Sequence, residues 1–147
     1  MNATLTITGD LTLLGKLAVQ IDEWFPTAFA TSVEVPSFEG WDVETMTILL
    51  RRLQAKQRDL LQFVSENGGY RTDAEVRAKF GNSAGGMKGL TGPISKHIKS
   101  MTEAGLLAVD ASYVVRTEAD PANRNAPGGF RTPLGLVPVL RAALDAL

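Results

Sequence analysis

The alternation of apolar and polar residues predicts a helix flanked by two short strands at the start of the chain. Residues 4–8 and 32–35 alternate β-forming and polar side chains, which is typical of strands. Between them, apolar residues recur at helical spacing over residues 12–25, and the proline that follows prevents the helix from continuing. Residues 1–40 are therefore expected to form a strand–helix–strand extension, with a linker over residues 36–42. The predicted helical stripe comprises Leu14, Leu17, Ala18, Ile21, Trp24 and Phe25.

A second apolar stripe predicts the first helical part of a domain over residues 41–147. Its helical phase weakens over residues 54–57, so the pattern allows either one long helix or two helices that meet there. The Asn-Gly-Gly sequence at residues 67–69 is a strong signal for the end of a helix. The members of this stripe are Met46, Leu49, Leu50, Leu53, Leu60, Leu61 and Val64.

Residues 69–107 contain a capped helix, a glycine-rich turn and a lysine-bearing helix, in that order. A Thr-to-Glu capping box opens the short helix at Thr72, and Gly81 ends it. A long glycine-rich connection over residues 81–90 leads to a helix that starts at Pro93, since proline suits a first helical turn. The helical phase places Ile94, Ile98 and Met101 on the inward side and turns Lys96, Lys99 and Glu103 outward.

The last third of the chain predicts a hairpin followed by a helix. Residues 106–117 are rich in β-formers, residues 118–129 are rich in turn residues, and residues 130–132 can return as the partner strand. This predicts a hairpin with a long tip. Pro133 then starts an amphipathic helix, so the expected fold class is α+β and mainly α. The apolar side of this helix comprises Leu136, Leu140, Ala143, Leu144 and Leu147.

The charge pattern changes this picture, because the net charge of −1 hides a polarised chain. Residues 51–100 carry ten Lys and Arg against four acidic residues, a net charge of +6. Residues 1–50 carry one basic and seven acidic residues, a net charge of −6, and residues 101–147 have a net charge of −1. A basic segment of this kind indicates a polyanionic partner.

Composition excludes several classes of protein. The chain has no Cys, which rules out a disulfide framework, thiolate metal sites and a Cys nucleophile. With 44% hydrophobic residues, it can build a core. We see neither a secretory leader nor an apolar run of the ~18 residues that a membrane-spanning helix needs. The expected location is the cytoplasm.

Residues 55–132 resemble the winged helix-turn-helix superfamily, in the style of MarR-, ArsR- and PadR-like bacterial regulators. The resemblance lies in the helix over residues 57–66, the TDAEVRAKFG helix, the GLTGPISKHIKSMTEAGLL segment and the hairpin that follows. It implies sequence-specific binding to double-stranded DNA by a transcriptional regulator, most simply a repressor that occupies its operator. The recognition helix would span residues 91–104 and the wing residues 107–132. The turn over residues 81–90 departs from the usual three or four residues.

Carried over position by position, the resemblance implies a set of DNA-binding residues. Thr91, Ser95, Lys96 and Lys99 would lie in or near the major groove, flanked by Lys88 and Arg71. Arg124, at the tip of the loop, would reach the minor groove or the backbone. Arg116 and Arg131 could contact phosphates or pair with Glu118, whereas Asn123 and Asn125 are interpreted as turn residues.

No motif indicates an enzyme, a cofactor or a metal site. The glycine-rich segment lacks the Lys directly after the second glycine that a phosphate-binding loop needs, because Gly86 is followed by Met87. His97 is the only histidine and lies beside the inward stripe, so we interpret it as a packing residue. No nucleophile lies next to a base in the pattern.

The resemblance also implies a homodimer, because a two-fold protein matches a palindromic operator. The N-terminal extension and the C-terminal helix are the two elements that could form the contact between copies, or both could simply pack on the core. The alternative to DNA binding is a protein-interaction module or assembly factor built on the same fold, which would bind a protein partner through the acidic N-terminal segment. We expect no membrane partner.

Overall fold

The computed structural model describes residues 3–81 and 86–147, without the side chains of residues 86–88. The chain divides into two compact units, Met1–Val35 and Pro36–Leu147. The first contains helix α1 (Leu11–Trp24). The second contains, in order, α2 (Val43–Arg52), α3 (Ala55–Ser65), β1 (Tyr70–Thr72), α4 (Asp73–Phe80), α5 (Gly86–Glu103), β2 (Arg116–Asp120), β3 (Asn123–Arg131), a 3₁₀ turn (Leu134–Leu136) and α6 (Val137–Asp145). The prediction of an α+β, mainly α fold is confirmed.

The N-terminal unit contains the predicted helix but neither predicted strand. Asp10 caps α1, because its carboxylate accepts hydrogen bonds from the backbone N–H groups of Thr12 and Leu13 at 3.0 and 3.1 Å. Residues 3–8 and 32–35 are irregular, so the strand–helix–strand prediction is wrong. A strand needs a neighbouring strand for its backbone groups, and alternation alone does not supply one.

The second apolar stripe forms two helices, which settles the alternative that the sequence left open. The backbone of Leu53 is extended, with ψ of 150°, and this residue separates α2 from α3. Its side chain is buried. The backbone N–H of Gln54 then donates a hydrogen bond to Gln57 Oε1 at 2.9 Å. This bond satisfies a backbone N–H group that has no partner because the helical hydrogen bonding is interrupted between α2 and α3. It lies at the start of α3.

The predicted linker before α2 is a folded turn. Phe38 and Trp41 exchange backbone hydrogen bonds of 2.8 and 2.9 Å, and the side chain of Trp41 is completely buried. Its indole Nε1 donates a hydrogen bond to the carbonyl of Ser112 at 2.8 Å. The turn therefore belongs to the core of the C-terminal unit, where an indole can bury a large area only if its N–H finds an acceptor.

The three strands form an antiparallel sheet in the order β1–β3–β2. Only Pro121 and Ala122 separate β2 from β3, so the prediction of a hairpin with a long tip over residues 118–129 is wrong. The register shifts twice, between Glu118 and Ala119 and between Ala119 and Asp120, which is typical of a bulged ribbon.

The glycines of the hairpin explain this error. A Cβ at Gly128 would lie 2.7 Å from the carbonyl oxygen of Ala119, and one at Gly129 would lie 2.6 Å from the carbonyl oxygen of Arg71. Glycine is therefore needed because neighbouring strands approach closely, and not because the chain turns. The residues before the hairpin, 107–115, are outside any strand, so the wing predicted over residues 107–132 corresponds to a hairpin over residues 116–131.

Helix α4 forms as predicted, whereas α5 starts earlier than predicted. The backbone N–H of Thr72 donates to Glu75 Oε2 at 2.8 Å and the N–H of Glu75 donates to Thr72 Oγ1 at 3.2 Å, so the capping box is confirmed. Helix α5 already begins at Gly86, and Pro93 lies inside it. Burial of Leu90 and Ile94 on either side of Pro93 holds the helix together despite the missing hydrogen bond. Residues 82–85 of the predicted glycine-rich turn lie outside the described residues.

The core of the C-terminal unit lies between α2, α3, α5 and α6. The inward stripe of α5 is confirmed for Ile94 and Met101, which are buried, while Ile98 is half-buried. Helix α6 buries Val139, Leu140 and Ala143 and packs against α2 and α3. The C-terminal helix thus covers the core, which is one of the two roles that the sequence allowed.

Candidate nucleic-acid interface

Helix α5 presents a polar face opposite its buried stripe. Ser95, Lys96 and Lys99 are exposed and make up this surface, which we call the outer face of α5. Lys99 Nζ lies 3.9 Å from Glu103 Oε1, but the lysine side chain is 79% exposed. An exposed pair at this distance contributes little and leaves the ammonium accessible to an anion. His97 is half-buried, in line with its interpretation as a packing residue.

The hairpin borders the same helix. Thr91 on α5 and Thr117, Glu118 and Arg124 on the hairpin line a shallow groove of about 420 Å³. Arg124 is exposed and lies two residues after the Pro121-Ala122 turn. The fold thus brings Arg124, near the tip of the hairpin, close to Thr91 on α5. This groove also includes Ala119, Asn125, Ala126 and Pro127.

Arg116 and Arg131 share one carboxylate at the base of the hairpin. Arg131 Nε donates a hydrogen bond to Glu118 Oε1 at 2.7 Å, and Arg116 NH2 lies 3.5 Å from the same oxygen. Each guanidinium also stacks on a tyrosine ring, at 4.5 Å from Tyr113 for Arg116 and 4.6 Å from Tyr70 for Arg131. Of the two roles that the sequence allowed, pairing with Glu118 is the one present in this structure.

Arg71 connects α3 to α4. Its Nε donates a hydrogen bond to the carbonyl of Phe63 at 2.8 Å, its guanidinium carbon lies 4.0 Å from the Phe63 ring centre, and NH1 lies 3.5 Å from Glu75 Oε1. Hydrogen bonds from the backbone and hydroxyl of Thr72, followed by the charge of Arg71, lower the pKa of Glu75. With its side chain only 19% exposed, Arg71 is held within the fold.

The charge of the basic segment is therefore partly compensated within the protein. Besides the Arg71–Glu75 pair, Arg77 Nε lies 2.6 Å from Asp73 Oδ2. Lys96 and Lys99 are among the basic residues that stay exposed. The side chain of Lys88 lies outside the described part of the chain.

Sequence reasoning missed part of the groove. Thr117 is absent from the DNA-binding residues that the resemblance implies, and Asn125 is predicted to be a turn residue, yet both line the groove beside Thr91. The available signal was alternation along β2, where Thr117 and Ala119 are exposed while Glu118 is half-buried. This alternation can be recognised only when the strand is known to extend to Asp120.

The described residues contain neither a cluster that could hold a metal ion nor a helix that could span a membrane. No group of three or more His, Asp or Glu residues there could hold a metal ion. Within residues 3–81 and 86–147, no helix has the length and the apolar character needed to cross a lipid bilayer.

Comparison with known proteins gives no relative: no protein-family model, no curated protein and no solved structure matches this chain.

Proposed function

We propose that this chain is a winged helix-turn-helix protein that binds double-stranded DNA in a sequence-specific manner and regulates transcription by occupying its operator. The element order α3–β1–α4–α5–β2–β3 supports this proposal. In this order α4 and α5 correspond to the helix-turn-helix, and the hairpin corresponds to the wing. The sheet order β1–β3–β2 attaches the hairpin to the strand that precedes α4.

The observation that carries the proposal is the outer face of α5. Buried Leu90, Ile94 and Met101 hold one side of the helix, so the opposite side can enter a groove without unfolding anything. The major groove of B-DNA is about 12 Å wide and admits one α-helix. Lys96 and Lys99 would contact phosphates, and the small polar side chains of Thr91 and Ser95 would approach base edges.

The hairpin would supply a second contact. Arg124 is exposed beyond the Pro121-Ala122 turn, near the start of the proposed recognition helix. An arginine in this position can reach phosphates or enter a narrow minor groove. The Glu118 pairs of Arg116 and Arg131 would hold the base of the hairpin and so set the position of its tip.

The test measures binding of duplex DNA at several salt concentrations, first with a random-sequence duplex and then with sites selected from a random library. Each phosphate contact adds about 0.9 to the slope of log affinity against log salt concentration. We expect the double variant Lys96→Ala, Lys99→Ala to weaken binding and to reduce this slope by about 2.

The control removes the same charge elsewhere. Lys16 on α1 and Arg141 on α6 are both exposed and lie outside the proposed surface. The double variant Lys16→Ala, Arg141→Ala should keep the wild-type slope. Equal losses in the two double variants would mean that net charge, and not the outer face of α5, controls binding. No binding at low salt would refute the proposal.

The DNA sequences that the protein selects provide a separate test of base recognition. Thr91→Ala and Ser95→Ala should change which sequences are selected while leaving the salt slope unchanged, because these side chains would contact bases and not phosphates. Selection of the same sites by both variants would show that base recognition lies elsewhere.

A second candidate function is a protein-interaction module that uses the N-terminal unit. It is favoured by apolar side chains that this unit exposes, including Leu5 and Trp24, together with the net charge of −3 that residues 1–35 carry from one basic and four acidic residues. A stable partner that is lost on deletion of residues 1–35, combined with no DNA binding at low salt, would support it over DNA binding.

A further inference from the structure

Half of the net positive charge of residues 51–100 lies outside the surface that the proposed function uses. Residues 51–65 carry four basic residues and one acidic residue, a net charge of +3, whereas the whole of α5 has a net charge of +2. The four cations lie within eight consecutive residues, on both sides of the break between α2 and α3. We call this region the α2–α3 corner, and it comprises Arg51, Arg52, Lys56 and Arg58.

Arg58 differs from the other half-buried arginines in the described part of the chain. Arg71, Arg77 and Arg131 are half-buried, and each has a carboxylate oxygen within 3.5 Å. Arg58 is also half-buried, but its guanidinium makes neither an ion pair nor a hydrogen bond with any described residue. A guanidinium that loses part of its hydration is normally compensated by an anionic partner. The guanidinium of Arg58 is therefore available to an external anion.

The other three cations of the corner are exposed, and no described acidic side chain pairs with them. Arg51 and Arg52 lie in the last turn of α2, where cations suit the helix dipole. Lys56 lies in the first turn of α3, which contains no acidic residue although one would be favoured there. Local helix stability therefore accounts for the two arginines but not for Lys56, whereas an external polyanion accounts for all three.

The composition of the corner favours phosphate as the anion and a nucleic-acid backbone as its source. Three of the four cations are arginines, whose planar guanidinium can bind two phosphate oxygens at once. A membrane surface would also be met by exposed apolar side chains, but Leu53 is buried and none of the exposed large apolar side chains of the described residues lies within residues 51–58. A duplex carries one phosphate charge about every 1.7 Å along its axis, so this cluster can meet several phosphates.

We propose that the α2–α3 corner binds backbone phosphates of the duplex whose groove α5 enters, outside the base pairs that α5 contacts. This inference rests on the proposed function. Helices α2 and α3 both pack against α5 within the C-terminal unit, so one duplex would meet all three helices. Phosphate contacts carry no sequence information, so the corner adds affinity for any sequence while Thr91 and Ser95 select the bases.

The experiment measures the slope of log affinity against log salt concentration for the full chain on a random-sequence duplex. The corner variant Arg52→Gln, Lys56→Gln removes two exposed charges that flank the break, and circular dichroism checks that its fold is retained. We expect its slope to fall by about 2. Arg58→Gln keeps part of the aliphatic stem of the half-buried side chain and should lower the slope by about 1.

The matched control is Lys16→Gln, Arg141→Gln, which removes two exposed charges elsewhere and should keep the wild-type slope. The corner variant should select the same sites from a random library as the wild type, because it loses only phosphate contacts. Combined with Lys96→Ala and Lys99→Ala, it should lower the slope by about 4 in total, since the two surfaces contact different phosphates.

The results separate this inference from the proposed function. If only the α5 variant lowers the slope, the proposed function stands and the inference about the corner is wrong. If only the corner variant lowers it, the corner binds phosphates and the proposed recognition helix is wrong. A wild type that does not bind DNA at low salt refutes both.

Two further outcomes would overturn the inference alone. Equal losses in the corner variant and its control would mean that net charge controls binding. A corner variant that keeps wild-type DNA binding but loses binding to an RNA hairpin, or to vesicles of equal parts phosphatidylcholine and phosphatidylserine, would assign the corner to that other polyanion.

Discussion

Helices α1 and α6 lie near the two ends of the chain and carry similar apolar stripes, yet they differ completely in burial. Helix α6, with nine residues, fully buries Val139, Leu140 and Ala143, whereas α1, with 14 residues, buries none. The stripe of α6 lies against α2 and α3, while α1 belongs to a unit that contains no other helix among its described residues. Periodicity therefore establishes that a helix has an apolar side, but not what covers it.

The two tryptophans give the strongest test of this contrast. Trp41 is completely buried and Trp24 is 64% exposed. Trp41→Ala should lower the free energy of unfolding by about 3–5 kcal/mol, because it leaves a cavity and an unpaired Ser112 carbonyl. Trp24→Ala should change it by less than about 0.5 kcal/mol. Urea unfolding of both variants, followed by circular dichroism at a concentration where the chain is monomeric, measures the difference.

Fluorescence provides the control, since each variant keeps one tryptophan. The remaining Trp41 should emit at shorter wavelength than the remaining Trp24, because it is shielded from water. Similar emission from the two variants, or equal losses of stability, would contradict the burial difference between the two units.

Replacing a glycine by alanine in each of the two units tests the same difference in packing. A Cβ at Gly135 would collide with the ring of Phe38, whereas one at Gly15, inside α1, meets nothing within 4 Å. Gly135→Ala should destabilise the C-terminal unit by about 1–3 kcal/mol through overpacking. Gly15→Ala should stabilise α1 by about 0.5–1 kcal/mol, because glycine is a poor helix former.

Thermal unfolding of the C-terminal unit measures the effect of Gly135→Ala. The loss of the helical circular dichroism signal with increasing temperature measures the effect of Gly15→Ala on α1. If Gly135→Ala were as stable as the wild type, the ring of Phe38 would not pack against Gly135 in the 3₁₀ turn. A loss of helix in Gly15→Ala would mean that α1 has a packed neighbour at this position.

The smallest expected effect concerns the Asp caps that open α1 and α2. The Asp42 carboxylate accepts a hydrogen bond from the N–H of Thr45 at 2.7 Å, and the backbone and hydroxyl of Thr45 lower the pKa of Asp42 below its ordinary value of 3.8. Asp42→Ala should cost about 1 kcal/mol of stability at neutral pH. Asp10→Ala should shorten α1 without changing unfolding of the C-terminal unit.

The pH dependence of this cap follows from the direction of the pKa shift. Because the folded state binds the proton less tightly than the unfolded chain, the contribution of Asp42 is complete above pH 3.8 and disappears as the pH falls through its lower folded pKa. Asp42→Asn keeps a capping side chain that does not titrate. The stability of the wild type relative to this variant should therefore fall in acid, as measured by urea unfolding at pH values on both sides of that window. A constant difference would exclude titration of the cap.

Much of the helical architecture could be predicted from the sequence because its signals are local. The Thr72–Glu75 capping box and the buried positions of Ile94 and Leu140 depend on residues within one or two turns of each other. The start of α5 could not be predicted, because burial of Leu90 outweighs the local preference for starting at Pro93. The hairpin tip was also missed, since its glycines are required by close strands that are distant in sequence.

The candidate site likewise has features that the sequence predicts and features that it does not. Helical phase alone predicted that Lys96 and Lys99 point outward, and both are exposed. It could not predict that Arg71 would lie over Phe63, or that Glu118 would pair with both Arg116 and Arg131, since the sequence allowed either pairing or phosphate contact. Those contacts depend on which side chains the folded backbone brings together.

By itself, the sequence determined which parts of the chain are helical, which side of each helix is apolar and where basic residues concentrate, because backbone hydrogen bonding and side-chain spacing act over a few residues. The tertiary structure decided which apolar sides are covered, which arginines are neutralised and how the hairpin comes to lie beside α5. These outcomes depend on contacts between distant residues, and their free energy arises from burial and close charge pairing that no local pattern encodes.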